Sequence, residues 1–128
     1  GNLAAATSTG GMTNKMTGRI GDSPIIGSGT YADNDSVAVS CTGTGDIYMR
    51  VNAAHEVSAL YKYKTSDVQK AAEEAVKEVA ALGGSGGIIS IDKSGKTGFA
   101  WTKDKLGMYH GEARLGTKPV VYWPLGEK

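Results

Sequence analysis

The sequence predicts an α+β domain: an antiparallel sheet carrying two helices on one face. Three observations lead there. Apolar periodicity runs in the order strand, helix pair, hairpin, strand, without the strand–helix–strand alternation that builds a parallel sheet. Glycine gathers at the joints between these segments, where the chain must turn sharply. The alanine-rich run Leu3–Thr7 offers small side chains on both faces, the composition of a strand sandwiched between layers. The 128 residues read as a single domain, 1–128, and such a strand asks for a second layer beyond the helices.

Taken in order, Leu3–Thr7 is the first expected strand, preceded by Gly1-Asn2, which is turn chemistry. Ser36–Cys41 alternates small polar and apolar residues at period two and predicts the next strand, broken by Thr42-Gly43-Thr44-Gly45. From Asp46, the residues Ile47, Val51, Ala54 and Ser58 recur at helical spacing and predict one helix to about Tyr61. Ser66 with Gln69 forms a capping box opening a second helix. Its buried stripe is Val68, Ala72, Ala75, Val76, Val79 and Leu82, and Gly83-Gly84 ends it. Ile88–Asp92 and Thr97–Thr102 flank Lys93-Ser94-Gly95-Lys96 as a hairpin, and Val120–Trp123 is a last strand.

Composition excludes several classes of function. The formal net charge is +1 and neither half of the chain carries a charged arm, so nothing attracts nucleic acid or a membrane surface. No apolar run approaches the roughly 18 residues of a membrane span. Cys41 is the single cysteine, which removes internal disulfides and thiolate zinc sites; His55 and His110 are too scattered for ligand spacing. A cytoplasmic setting with no metal and no cofactor is the expectation. Cys41 reads as a small core residue, His55 as a helix-surface or packing residue, and Trp101 and Trp123 as core or subunit-contact residues.

The chemistry gathers in two places. The segment 7–24 is rich in hydroxyls and glycine and sets Arg19 three residues before Asp22. Such a pair suits an amino-acid ligand, since a guanidinium forks onto a carboxylate and a carboxylate accepts from an ammonium. On pattern alone, an exposed ion pair is the commoner reading. Thr42-Gly43-Thr44-Gly45 lies between a strand end and a helix start, where free N–H groups favour an anion or oxyanion; a plain tight turn is the alternative.

The runs Gly1–Asn34 and Val37–Asp46, then "GGIISIDKSGKTGFAW" and "LGMYHG", resemble the β subunit of the plant-type asparaginase and isoaspartyl peptidase family of N-terminal nucleophile hydrolases. From Glu112 onward little resemblance is visible, and the stretch between Trp101 and Gly107-Met108 is longer than the family pattern. The resemblance implies half of a four-layer αββα sandwich, completed by an α subunit of the same precursor in an (αβ)2 assembly. It implies hydrolysis of L-asparagine and β-aspartyl dipeptides by a threonine freed through self-cleavage. Thr9 would hydrogen-bond that nucleophile, and Thr42 and Gly43 would form the oxyanion hole. Arg19 would hold the substrate carboxylate, Asp22 its ammonium, and Gly45 would help seat the same end.

The nucleophile itself is expected on a strand roughly ten residues upstream of Gly1. Thr7 and Thr9 are internal and lack the free amine that activates such a threonine, so the chain alone is expected to be inactive. A non-catalytic domain that keeps the amino-acid clamp is the competing function. A phosphate-binding module ranks last, because the lysine of a GxxxxGK[ST] loop is missing.

Overall fold

The alternation that begins near Ser36 becomes the spine of the sheet. In the computed structural model of the chain, which describes residues 1–103 and 107–122, β1 (Thr30–Ala32) and β3 (Gly86–Asp92) flank β2 (Val37–Gly43), and β4 (Thr97–Trp101) completes the order β1-β2-β3-β4. Every pairing is antiparallel, with Ser40 opposite both Thr30 and Ile89. The α+β class holds. β1 was not read from the sequence, since three residues are too short for a period to show.

One face of the sheet is dry. Val37, Val39 and Cys41 of β2, Ile88 of β3 and Ala100 of β4 pack against Ala53, Ala54 and Val57 of α2 (Ala53–Leu60) and the apolar stripe of α3 (Val68–Ala81). That stripe is Val68, Ala71, Ala72, Ala75, Val76 and Val79, all buried; its alanines let the helix lie close to the strands. Leu82, expected in the stripe, is 45% exposed, because Gly83 takes φ 79° and closes the helix by donating to Ala80 O.

Two helix boundaries differ from the sequence reading. The first helix is not continuous from Asp46: α1 (Gly45–Val51) stops at Asn52, which adopts the left-handed conformation at φ 54°, and α2 follows it. Asparagine tolerates this backbone, and the break is fastened by tertiary bonds, Ala54 N–H to Ser28 O and His55 N–H to Gly27 O. After α2 the chain widens into a π-helical turn, Tyr61–Thr65. The capping residue of α3 is Asp67, not Ser66. Asp67 Oδ1 accepts from Gln69 N–H and Lys70 N–H, and Oδ2 pairs with Lys96 at 2.9 Å. Gln69 is thereby released to bond both backbone groups of Phe99 on the edge strand β4, at 2.9 Å each.

The other face of the sheet is open. Ile89 and Ile91 of β3 and Thr97, Phe99 and Trp101 of β4 alternate onto it, and Ile89 and Trp101 remain 49% and 37% exposed. Of the two roles expected for Trp101, core or subunit contact, the first does not hold within this chain, and Trp123 lies outside the described residues. One margin of this face carries a small separate sheet, β5 (His110–Glu112) paired with β6 (Val120–Tyr122), whose His110 ring stacks on Tyr122 at 4.8 Å and contacts Phe99 at 4.3 Å.

Residues 3–9 run along the opposite margin. Leu3–Thr7 is extended, with Leu3, Ala5 and Thr7 half-buried and Ala4 and Ala6 exposed, but it joins no ladder and is buried on one side only. A strand needs a neighbour's N–H and C=O groups within reach. Here side chains do the holding: Leu3 N–H donates to Asn34 Oδ1, and Thr7 Oγ1 donates to Gly29 O and meets Ser40 Oγ at 2.7 Å. Between the margins lies a cavity of about 310 Å³ lined by Ala4, Ala6, Ser40, Ile91, Phe99 and Gly111. Among the described residues no helix is long and apolar enough to cross a membrane.

Candidate functional site

The corner between β2 and α1 is built by glycine. Gly43 and Gly86 face each other across the ladder with φ 153° and 152°, and a Cβ on either would run into backbone, Ser85 O in one case and Thr42 O in the other. The strands can therefore close over the buried ring of Tyr48. Thr44, at the start of α1, turns its hydroxyl to the backbone of Ser85 and not into the helix, which ties the corner down. Thr42 and Gly43 are left at the sheet's end, partly in solvent.

Against this corner lies the polar loop. Turn bonds from Arg19 N–H to Met16 O and from Ile25 N–H to Asp22 O shape it. Thr9 Oγ1 accepts from Gly11 N–H and meets Ser23 Oγ at 3.2 Å, so the loop's first hydroxyl is fastened to its far end. The result is a cavity of about 390 Å³ whose walls include Thr9, Lys15, Arg19, Asp22, Thr42 and Gly43. Gly45 packs behind it: a Cβ there would stand 2.8 Å from Asp22 Oδ1 and 3.4 Å from an Arg19 guanidinium nitrogen. All six residues singled out from the sequence are thus brought to one place, five on the walls and Gly45 beneath. Lys15 and Ser23 share the site and were passed over, although Lys15 stands as a second cation inside the same hydroxyl-rich segment.

Asp22 decides what the cavity can hold. It is 5% exposed, and its Oδ2 has no hydrogen-bond partner. Burial pushes its carboxyl above the ordinary range; the N–H groups of Asp22 and Ser23 and the charge of Arg19 offset this only in part. A buried carboxylate oxygen without a donor is costly, and it rules out the reading of Arg19 and Asp22 as an exposed ion pair. A ligand with a cationic N–H donor would satisfy it, while Arg19 would take an anionic group on the same ligand.

Thr9 and Thr42 have a second side. Both also line an adjoining cavity of about 290 Å³, on the open sheet face, with Phe99, Trp101, Met108 and His110. The two hydroxyls therefore stand where a polar and an apolar cavity meet. His110 Nδ1–H donates to Met108 O at 2.7 Å, which orients its ring in that wall. Cys41 is buried beneath, its thiol pushed well up by burial and by the charge of Asp22, as a core residue would be. His55 lies on the helix surface, edge-on to Tyr31 at 5.2 Å. Among the described residues no group of three or more His, Cys, Asp or Glu side chains is placed to hold a metal ion.

Comparison with known proteins places the chain in a family. The asparaginase family profile matches residues 1–119, so the likeness continues past Glu112, where the sequence reading had lost it. Over 122 residues, 94% of the chain, it is 52% identical to the isoaspartyl peptidase of Escherichia coli (strain K12) and 51% identical to that of Salmonella typhimurium. Over 107 residues it is 47% identical to the isoaspartyl peptidase/L-asparaginase of Mus musculus. The chain spans 37%, 38% and 32% of these relatives' lengths respectively, about a third of each.

Proposed function

The chain belongs to the asparaginase family, and from that we propose that it is the β part of an amidohydrolase acting on L-asparagine and β-aspartyl dipeptides. The observation that carries the reading is the buried, unpartnered Oδ2 of Asp22 beside Arg19. Asparagine and an isoaspartyl residue each carry a free α-ammonium and a free α-carboxylate, the two groups this pair complements. Gly45, lacking a side chain, leaves the room in which Asp22 and Arg19 meet that end of the substrate.

With the amino-acid end held there, the side-chain carbonyl reaches the hydroxyls at the junction of the two cavities. The nucleophile is a threonine upstream of Gly1, its own α-amino group taking the hydroxyl proton as it attacks. Thr9 Oγ1 hydrogen-bonds it. The attacked carbonyl oxygen becomes an oxyanion, to which Thr42 Oγ1 and the Gly43 N–H donate. Strand alternation sets Gly43 on the same edge as Cys41, whose N–H donates to Gly29 O; β1 does not reach opposite Gly43. One such donor lowers the barrier by about 3–4 kcal/mol. Collapse of the tetrahedral species expels ammonia or the peptide amine, and water then releases aspartate from the acyl-enzyme.

In this reading an α subunit lays a second sheet on the open face, making the four-layer αββα sandwich, and two αβ units assemble in a cytoplasmic enzyme. The exposed Ile89 and Trp101 support a covering layer. The test is to express the complete precursor and the 128-residue chain separately and assay both on L-asparagine and β-aspartyl-leucine. Turnover by the precursor and none by the chain alone is expected. Turnover by the chain alone, or none by the precursor, would sink the reading.

A further inference from the structure

The site carries one more cation than asparagine needs. Lys15 lines the same cavity as Arg19 and Asp22, and its side chain is exposed there. Its Nζ donates to Gly10 O at 2.9 Å, which ties the ammonium to the stretch of loop that directly follows Thr9, on the wall the two share. Gly11 holds the arrangement: a Cβ at that position, already at φ 72°, would stand 3.2 Å from the lysine's Cδ and Cε.

Resting on the proposed function, we propose that Lys15 is a specificity residue that reads the C-terminal carboxylate of a β-aspartyl dipeptide and so favours isoaspartyl peptides over asparagine. The charges match group by group. Asparagine offers one carboxylate and one ammonium, which Arg19 and Asp22 consume. A β-aspartyl dipeptide adds a second carboxylate, a pair of single bonds beyond the scissile nitrogen on the leaving side, and Lys15 is the remaining cation. An ammonium is a compact, mobile point charge with three donors. It can keep its bond to Gly10 O and still receive a carboxylate carried by leaving groups of different shape. An exposed charge contact of this kind is modest and screened by salt.

The experiment uses the complete, self-processed enzyme and compares kcat/KM for β-aspartyl-leucine with that for its C-terminal amide. The unmodified enzyme should prefer the acid by about threefold to tenfold at low ionic strength, with the preference shrinking as salt is added. In Lys15→Gln that preference should collapse toward one, and Lys15→Arg should restore most of it. An acid-to-amide ratio that is the same in Lys15→Gln as in the unmodified enzyme would overturn the assignment, leaving Lys15 as a loop fastener through Gly10 O. Failure of the unmodified enzyme to hydrolyse either β-aspartyl-leucine or L-asparagine would instead overturn the amidohydrolase reading itself.

Discussion

Asp22→Asn in the complete enzyme should stabilise the protein and disable it together. In the free enzyme the Asp22 carboxylate is buried with one oxygen unsatisfied, which costs about 1–3 kcal/mol for a neutral polar group and more for a charged one. The pull of Arg19 and two backbone N–H groups returns part of this. An amide keeps the shape and removes the charge, so a net gain of about 1 kcal/mol at neutral pH is expected, near 2 °C in melting temperature for a protein of this family's size. The pH dependence identifies the cause. The folded protein holds Asp22's proton more tightly than the unfolded chain, so the stability its protonated form confers is present below the ordinary aspartate range. That stability is lost as pH rises through the elevated folded pKa. The two proteins should therefore melt together in acid and diverge toward neutrality. Thermal melts from pH 3 to 8 read this, and repeating them with L-aspartate adds the second half: stabilisation by about 2.7 kcal/mol at a hundredfold excess over Kd for the unmodified enzyme, and little for the variant. A variant less stable than the parent at neutral pH, or a gap that ignores pH, would refute the orphaned-carboxylate reasoning.

Arg19→Lys keeps the charge and loses the planar fork, so substrate binding should weaken by about 1.5–3 kcal/mol, seen chiefly as a higher KM for L-asparagine; an unchanged kcat/KM would remove Arg19 from the clamp. Gln69→Ala strips both backbone partners from Phe99 on the edge strand and should cost about 1–2 kcal/mol in denaturant unfolding, with an unchanged midpoint showing that solvent serves Phe99 as well.

What the sequence disclosed follows the range of the forces involved. The stripe from Val68 to Val79 and the hairpin around Lys93–Lys96 are set by neighbours a few residues away, and both were legible. The break at Asn52 was not, because Ile47, Val51 and Ala54 continue the helical spacing straight through it while the carbonyls of Gly27 and Ser28, from a distant loop, hold the kink open. Ser66 reads as the cap of the second helix, and Asp67 takes that place. The chain's left-handed turn at Ser66, φ 50°, and the Lys96 partner of Asp67 move the cap one residue on. Residues Leu3–Thr7 show the converse case: their composition suits a doubly covered strand, and among the described residues no strand pairs with them. The site residues were legible as chemistry, hydroxyls and glycines beside an Arg and an Asp. The burial of Asp22 was not, since it is created by a corner of the sheet at Gly43 and Gly45 that only folding brings to the loop.

The central claim, that this corner stabilises a transition state for amide hydrolysis, meets its most direct test in steady-state kinetics of Thr42→Val in the complete enzyme. Valine preserves the volume and branching of threonine and deletes one donor to the oxyanion. The expected result is a fall in kcat on L-asparagine by a factor on the order of 100–1,000, with KM nearly unchanged and the melting temperature close to that of the parent. A folded Thr42→Val enzyme that retains full kcat would contradict the assignment and return the Thr-Gly turn to a purely structural role.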